Sequence, residues 1–343
     1  LGLKWDTATD QLTFPTYIPP PQSCAVTKRE ILKITSSLFD PLGLLSPVHI
    51  RPKILLQQLW VDKRSWDEPL SSSFTESWNV MLEDICAARA TQVPRQYFHT
   101  YEDALTELHI FCDASEKAYG AAAYLKHNHC LSLVMAKSRV APVKEITLPR
   151  LELMATLIGT RIARFITTSL QSTSLCVNKT VLWTDSMITL HWITCSKKLP
   201  IFISNRVKEI HEANFHAIQY CPTNDNPADL LTRGIRAEQL RKSTLWWNGP
   251  AWLTQEDGPT NIPTNFNLLC TLEVCEQATL EAVTISLHTN SGTVSTRPSI
   301  RSNEHPVSCI SCIIDITRFS SLDRLLRVTA YVQRFIAQTR YKT

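Results

Sequence analysis

The order of apolar runs between residues 107 and 220 constrains the fold of this chain more than any other feature. Three short strand-like runs follow one another at about 107 to 113, 118 to 125 and 130 to 137. A long apolar helix and a strand that ends at Asp185 come next. They are followed by helices at Ser186 to Cys195 and at about Ser204 to Ala213, and by a strand from Phe215 to Tyr220. Closely spaced strands joined by turns are typical of an antiparallel meander. The whole order predicts an α/β (mixed α+β) fold, in which helices flank one mixed sheet.

Four acidic residues stand where these predicted elements begin or end. They are Asp113, Glu152, Asp185 and Asp229. Asp113 and Asp185 each close a strand, whereas Glu152 and Asp229 closely follow a proline and are expected in first helical turns, where the helix dipole favours a negative charge. A single acid in such a position is more often a cap or a solvated group. The four in this arrangement predict a shared site for two metal ions.

The residues on either side of this block carry less chemistry. A hairpin is predicted in residues 1 to 25, and helical patterns follow from residue 27, after residue 43, and at about 71 to 90. After residue 253 the composition shifts to Thr, Asn, Ser and Pro, which indicates a partly disordered linker. A terminal helix with an apolar face is predicted at Ser321 to Ile336.

Composition narrows the class of protein. Of 343 residues, 44% are hydrophobic and 19% charged, which is ordinary for a globular protein of about two domains. A net charge of +4 is too small to demand a nucleic-acid partner by itself. Eleven scattered cysteines favour a reducing, intracellular compartment. We expect no membrane span, and because the first residue is Leu1 we expect the chain to be part of something longer.

Several strings resemble the ribonuclease H domain of retrotransposon polyproteins, above all in the BEL/Pao group. They are Phe111–Ser115, Leu148–Leu153, Trp183–Ser186 and Asn226–Gly234. The segment Ile34–Leu44 is similar to the connection between reverse transcriptase and ribonuclease H in that group. Leu245–Leu253 resembles its exit from the domain, and Arg318–Ile336 resembles the lead-in to integrase.

The resemblance implies a division of the chain into five parts. These are a reverse transcriptase tail and connection (1–64), a helical connector (65–106), a ribonuclease H-like domain with a five-stranded sheet (107–253), a partly disordered linker (254–306) and an integrase lead-in (307–343). The rest of the Pol polyprotein is then the expected partner, with reverse transcriptase upstream and integrase downstream. No Asp-Asp pair occurs in the chain, so polymerase chemistry is expected elsewhere.

The resemblance also implies an activity, the hydrolysis of the RNA strand of RNA:DNA hybrids with two Mg²⁺ or Mn²⁺ ions. Asp113 would bridge both ions, Glu152 and Asp185 would hold one, and Asp229 the other. Candidate contacts to the hybrid lie between the third strand and the next helix, namely Lys137, Arg139, Lys144 and Arg150. The expected location is inside the cell, in a cytoplasmic particle or the nucleus.

Some features leave other interpretations open. Relatives often place a histidine shortly before the last aspartate, but His216 is the nearest here and falls on a predicted strand. Trp246, Trp247 and Trp252 are expected to pin the end of the domain to its core rather than to stack on bases. Cys309 and Cys312 near His305 are expected to be buried thiols rather than zinc ligands.

Two other classes of function remain as alternatives. A non-catalytic scaffold that binds nucleic acid or proteins is one, and an aspartic peptidase-associated region of the Pao polyprotein is the other. Asp113-Ala114-Ser115 is faintly similar to an Asp-Thr/Ser-Gly turn, but the glycine is absent. Four intact carboxylates favour the nuclease.

Overall fold

A computed structural model describes residues 3–15, 26–98, 105–173 and 175–254. The predicted linker beyond Thr254, the terminal helix, the integrase lead-in and the Cys309–Cys312 pair lie outside the described residues. The chain divides into the units Leu1–Ser286 and Leu287–Thr343, and all described residues belong to the first. Within them, no helix is both long and apolar enough to cross a bilayer.

The first hundred residues form a small sheet beside a layer of helices. In chain order the elements are β1 (Lys4–Asp6), β2 (Gln11–Thr13), α1 (Lys28–Ser36), α2 (Ser46–Val61), α3 (Ser72–Ala88) and β3 (Gln92–Pro94). The predicted hairpin is confirmed as β1 and β2, and β3 adds a third antiparallel strand that the sequence did not indicate. The Thr27 side chain caps α1 by accepting from the Glu30 N–H. Apolar faces of the three helices meet around buried Ile31, Leu59 and Trp78.

The larger sheet occupies the centre of the following segment. Its elements and those after it are β4 (Thr106–Ala114), β5 (Ala118–His127), β6 (Cys130–Val140), α4 (Leu148–Leu170), β7 (Val177–Thr184), α5 (Met187–Thr194), α6 (Ile201–His211), β8 (Ala217–Tyr220), α7 (Asp229–Arg233), α8 (Ala237–Lys242) and α9 (Thr244–Asn248). The strand order is β6-β5-β4-β7-β8. The meander pairs antiparallel, and β7 and β8 add parallel strands. The predicted mixed five-stranded sheet is confirmed.

Element boundaries differ from the prediction at three places. Strand β6 continues to Val140 instead of ending at Lys137, because β5 offers pairing partners as far as Ala118. Helix α6 begins at Ile201 rather than at about residue 204, since Pro200 fixes its start. Strand β8 begins at Ala217 rather than at Phe215.

The predicted connection packs directly on one face of the larger sheet. Leu44, Leu45 and Val48 share a buried core with Phe111 and Trp183. Just before them the chain passes so close to β6 that a Cβ on Gly43 would lie 1.9 Å from the Ala136 carbonyl oxygen, and the φ of Gly43 is +74°. Only glycine fits there without strain.

Helix α4 covers the opposite face of the sheet. Its apolar side packs on the central strands, and a Cβ on Gly159 would lie 2.5 Å from the Sγ of Cys112 in β4. The close approach of α4 to β4 places the start of the helix beside the end of the strand. Both elements carry predicted site residues.

Candidate metal and nucleic-acid site

Two of the predicted acids lie on neighbouring parallel strands. Asp113 is the penultimate residue of β4, and Asp185 directly follows β7. The two strands pair in parallel, with Cys112 opposite Thr184. Because neighbouring strands are about 4.8 Å apart, Asp113 and Asp185 emerge side by side at the same edge of the sheet.

Glu152 reaches this edge from α4. The prediction that it lies in the first turn is wrong, because Thr147 occupies the N-cap position and Leu148 starts the helix, which makes Glu152 the fifth helical residue. Its carboxylate Oε2 accepts a short hydrogen bond from the Ser186 hydroxyl. Ser186 follows Asp185 and caps α5 by accepting from the Thr189 N–H at 3.1 Å. A single serine therefore ties Glu152 to the loop that carries Asp185.

Asp229 is the first residue of the short helix α7, which confirms its predicted place in a first turn. Two contacts attach α7 and its preceding loop to β4. The Thr232 hydroxyl lies 2.6 Å from Oδ2 of Asp113, to which it donates, and the buried Asn226 amide donates to the Cys112 carbonyl at 3.0 Å. The last acid is thereby held on the strand that carries the first.

Electrostatics link the four carboxyl groups. Burial raises the pKa of Asp113 to about 7, against the hydrogen bond from Thr232, and the charges of Asp185, Asp229 and Glu152 add to the rise. Burial also raises the pKa of Glu152 to about 7, with a further contribution from Asp185. The pKa of Asp185 is raised by burial as well, and by Asp229 to a smaller extent. These acids therefore lie close enough to repel one another when ionised.

The donors suit a hard cation, although no cage is pre-formed. Among residues 3–254 that the structure describes, no three acidic, histidine or cysteine side chains are grouped tightly enough to hold a metal ion as they stand. One carboxylate oxygen, Oδ1 of Asp185, is nevertheless buried without a hydrogen-bond partner. A carboxylate retains lone pairs when one oxygen accepts a hydroxyl, and Mg²⁺ prefers such oxygens. A divalent cation would also relieve the repulsion, so the residues fit it.

Sequence reasoning missed the partners of the acids. These are Thr232 for Asp113, Ser186 for Glu152, Thr223 for Asp185 and Arg233 for Asp229. The Arg233 guanidinium lies 2.7 Å from Asp229 Oδ1 but is itself 68% exposed. A signal was present for two of them. Thr232 and Arg233 stand three and four residues after Asp229, on the same side of a helix that starts there.

The predicted basic contacts are divided between β6, the loop that follows it and the start of α4. Lys137 and Arg139 lie on β6 itself and are exposed, which corrects their predicted place between strand and helix. Lys144 is exposed in the loop after β6, and Arg150 lies in the first turn of α4 with its guanidinium 5.2 Å from the Phe202 ring. None of the four forms an ion pair with a carboxylate of the described chain.

The remaining predicted residues are structural or distant. Trp246 is fully buried and donates to the Leu44 carbonyl at 2.9 Å, and Trp252 packs edge-on against Trp183, which confirms that they pin the domain end. His216 precedes β8 rather than lying on it, and its Nδ1 accepts from the Thr180 N–H. Because Thr180 is five residues before Asp185, His216 lies toward the opposite end of these strands.

A comparison with known protein families finds one family that matches part of the chain. Residues 27–186 match the Pao retrotransposon-like RNaseH-like domain. Residues 27–186 are thus similar to the RNase H-like domain of Pao-type retrotransposons. The match runs from the first residue before α1 through the larger sheet to Ser186, and so includes Asp113, Glu152 and Asp185. Asp229 lies beyond it. No curated protein matches the chain.

Solved structures with which this chain aligns include ribonucleases H and a foamy viral protease-reverse transcriptase. The N-terminal RNase H domain of a Mycobacterium tuberculosis protein aligns at 15% identity over 36% of this chain and 95% of that one, with a TM-score of 0.27. LC11-RNase H1, solved with an RNA/DNA hybrid, aligns at 12% identity over 37% and 92%, with 0.26. The foamy viral protease-reverse transcriptase, solved with dsDNA, aligns at 14% identity over 63% and 42%, also with 0.26. Scores this low carry no conclusion about activity.

Proposed function

We propose that the RNase H-like part of this chain hydrolyses the RNA strand of RNA:DNA hybrids and requires Mg²⁺ or Mn²⁺. The observation that carries the proposal is the mutual electrostatic influence of Asp113, Glu152 and Asp185 at one edge of the sheet. Structural acids on a protein surface are usually dispersed or paired with cations, whereas buried acids that raise one another's pKa are typical of functional sites.

The proposed metal-binding roles of the four acids are those expected from the sequence. Asp113 would contact both ions, Glu152 and Asp185 one, and Asp229 the other. Two such ions, when bound, would activate a water and stabilise the leaving oxygen. The hydroxyls of Thr232, Ser186 and Thr223 orient the carboxylates through the hydrogen bonds already present.

The substrate is proposed from the surrounding charge. A hybrid presents phosphates and 2′-hydroxyls, so its reader needs cations beside the acids. Lys137, Arg139, Lys144 and Arg150 have no competing ion pairs within the described chain, and they are the proposed contacts. The reverse transcriptase and integrase segments of the same polyprotein are the proposed protein partners, in a cytoplasmic particle or the nucleus.

Asp185→Asn tests the proposal. The substitution preserves side-chain size but removes the charge on a residue whose Oδ1 has no partner, so we expect cleavage to fall by at least 100-fold, on the order of lost metal catalysis. Binding of the hybrid should change far less, because separate cations supply it. The measurement is cleavage and binding of a labelled RNA:DNA duplex by both proteins with and without Mg²⁺.

A matched variant controls for loss of charge alone. Asp62→Asn alters an exposed acid at the end of α2 and should leave cleavage at the wild-type rate. Equal cleavage by wild type and Asp185→Asn, or cleavage that persists in a chelator, would contradict the assignment.

A further inference from the structure

A second charged feature lies beyond the acids, in a cleft of about 500 Å³ where the connection, β6 and α4 meet. We call it the basic cleft and define it by Lys53, Lys137, Arg139 and Arg161, with Asp40 and Phe165 beside them. It joins a residue of α2 to residues of the larger sheet. The family resemblance gave α2 no part in binding.

The charge balance of the basic cleft favours an anion. Lys53, Lys137 and Arg139 form no ion pair with a carboxylate of the described chain, while Arg161 is engaged by Glu209 at 2.7 Å. The one acid that lines the cleft, Asp40, is held by its own loop, since it accepts the N–H groups of Leu44 and Leu45. Three cations thus face one carboxylate that is already satisfied.

Lys53 stands out among the three cations because it is half-buried. Burial lowers its pKa, against the attraction of Asp40, so the ammonium is incompletely compensated where it lies. An ordinary surface lysine would remain fully solvated. A ligand with negative oxygens would supply the missing interaction.

The position of the basic cleft relates it to the acids. Ser138, between Lys137 and Arg139, pairs with Gly120, which in turn pairs with Asp113. The backbone of the cleft residues of β6 is therefore level with Asp113 and about 10 Å away across two strand spacings. The side chains of Lys137 and Arg139 point to the face of the sheet that α4 covers, since they are in register with Cys112 and Ala114. Duplex nucleic acid carries a phosphate every 3.4 Å or so along each strand, so a duplex that passes the β6 side of the sheet presents phosphates to the cleft as well as to the acids.

We infer that the basic cleft binds backbone phosphates of the same nucleic acid whose scissile phosphate lies at the acids, with Lys53 as a contact from the connection. This inference rests on the proposed function. It assigns α2 a positioning role in substrate binding. The exposed ring of Phe165, 57% accessible, adds an apolar surface beside those phosphates.

Lys53→Gln and Lys137→Gln test the inference on the full chain. Each removes one cation without a large change in size, so the slope of log affinity for an RNA:DNA hybrid against log salt should decrease by about one, with a loss of about five- to tenfold in affinity near 0.1 M salt. In cleavage assays KM should rise and kcat should stay the same. Lys137 is exposed on β6, so Lys137→Gln is expected to fold like the wild type.

Lys63→Gln is the matched control, at an exposed lysine ten residues after Lys53 and two residues beyond the end of α2. It should leave slope and KM unchanged. If Lys53→Gln cleaves the hybrid like the wild type and its log affinity has the same slope against log salt, the cleft does not bind the hybrid, and the proposed nuclease activity still stands. Absence of wild-type cleavage and hybrid binding would overturn both. A mononucleotide could instead raise the melting temperature of the wild-type protein but not that of Lys53→Gln, while both proteins bind the hybrid equally well. That result would assign the cleft to a free nucleotide and reject the inference.

Discussion

At the scale of single residues, the site depends on hydroxyls that hold carboxylates in place. Thr232, Ser186 and Thr223 each donate to a different acid, and each comes from a different loop or helix from the acid it orients. Charge-assisted hydrogen bonds of this kind are stronger than neutral ones. Their combined effect is to keep acids that repel one another in a common region.

The raised pKa values predict how Mg²⁺ binding depends on pH. Asp113 and Glu152 have pKa values of about 7 in the folded chain, above the ordinary 3.8 and 4.5. The metal-free fold therefore binds extra protons, and these two groups make it progressively less stable as pH rises from about 4 to 7. Mg²⁺ needs the ionised forms, so its affinity should increase between pH 6 and pH 8 with release of protons at the lower pH.

Calorimetry in two buffers of different protonation enthalpy measures that release. Asp113→Asn should abolish most of it, and Asp62→Asn should leave it intact. Equal affinity at pH 6 and pH 8 without proton release would show that these carboxyls are already ionised in the free protein.

Residue types at strand ends were predictable, and their partners were not. An apolar run that stops at Asp113 or Asp185 marks a strand end from the sequence alone. The contact between Ser186 and Glu152 joins residues 34 positions apart. No local pattern encodes such a pair, because it exists only once α4 has packed on the sheet.

At the scale of elements, the fit of α4 on β4 decides where Glu152 lies. Gly159 allows this fit, since a Cβ there would approach Cys112 Sγ to 2.5 Å and Ile110 Cγ2 to 2.8 Å. Protein interiors pack too densely to absorb such an overlap without movement. A glycine in the middle of a long helix costs about 1 kcal/mol relative to alanine, so its presence indicates a packing requirement.

Gly159→Ala should therefore destabilise the protein despite its better helix propensity. We expect a net loss of up to about 2 kcal/mol, as overpacking costs about 1 to 3 kcal/mol and the helix regains about 1. Addition of Cys112→Ala removes one obstructing atom, so the double variant should lose less than the sum of the single ones. Urea denaturation measures all three.

Thr168→Ala is the control, on an exposed position of the same helix. It should be neutral or slightly stabilising. A higher midpoint for Gly159→Ala than for wild type would mean that the α4–β4 contact is looser than described.

The main elements of the sheet followed from periodicity, whereas their ends did not. Strand β6 runs three residues beyond Lys137 because its partner β5 continues, which is a property of the pair rather than of the sequence of β6. Glu152 lies in the second turn because the helix begins at Leu148, with Thr147 at the N-cap position. Pro149 indicates that a helix starts nearby but does not specify the first residue.

At the scale of the whole molecule, the connection and the larger sheet form one core. Leu45 and Val48 pack with Trp183, and the Trp246 indole donates to the Leu44 carbonyl across 202 positions of sequence. The predicted boundary at residue 64 separates parts that share buried surface. Patterning places a helix there, but the partner of its apolar face is settled only by the tertiary fold.

In the proposed site, four acids from separate elements hold two divalent ions. Diffraction from crystals grown with Mn²⁺, recorded at the metal's absorption edge, tests it most directly. We expect two anomalous peaks about 4 Å apart, both in contact with Asp113, with Glu152 and Asp185 at one and Asp229 at the other. Crystals that bind Mn²⁺ only elsewhere, or that hold any of Asp113, Glu152 and Asp185 more than roughly 10 Å from the other two, would contradict it.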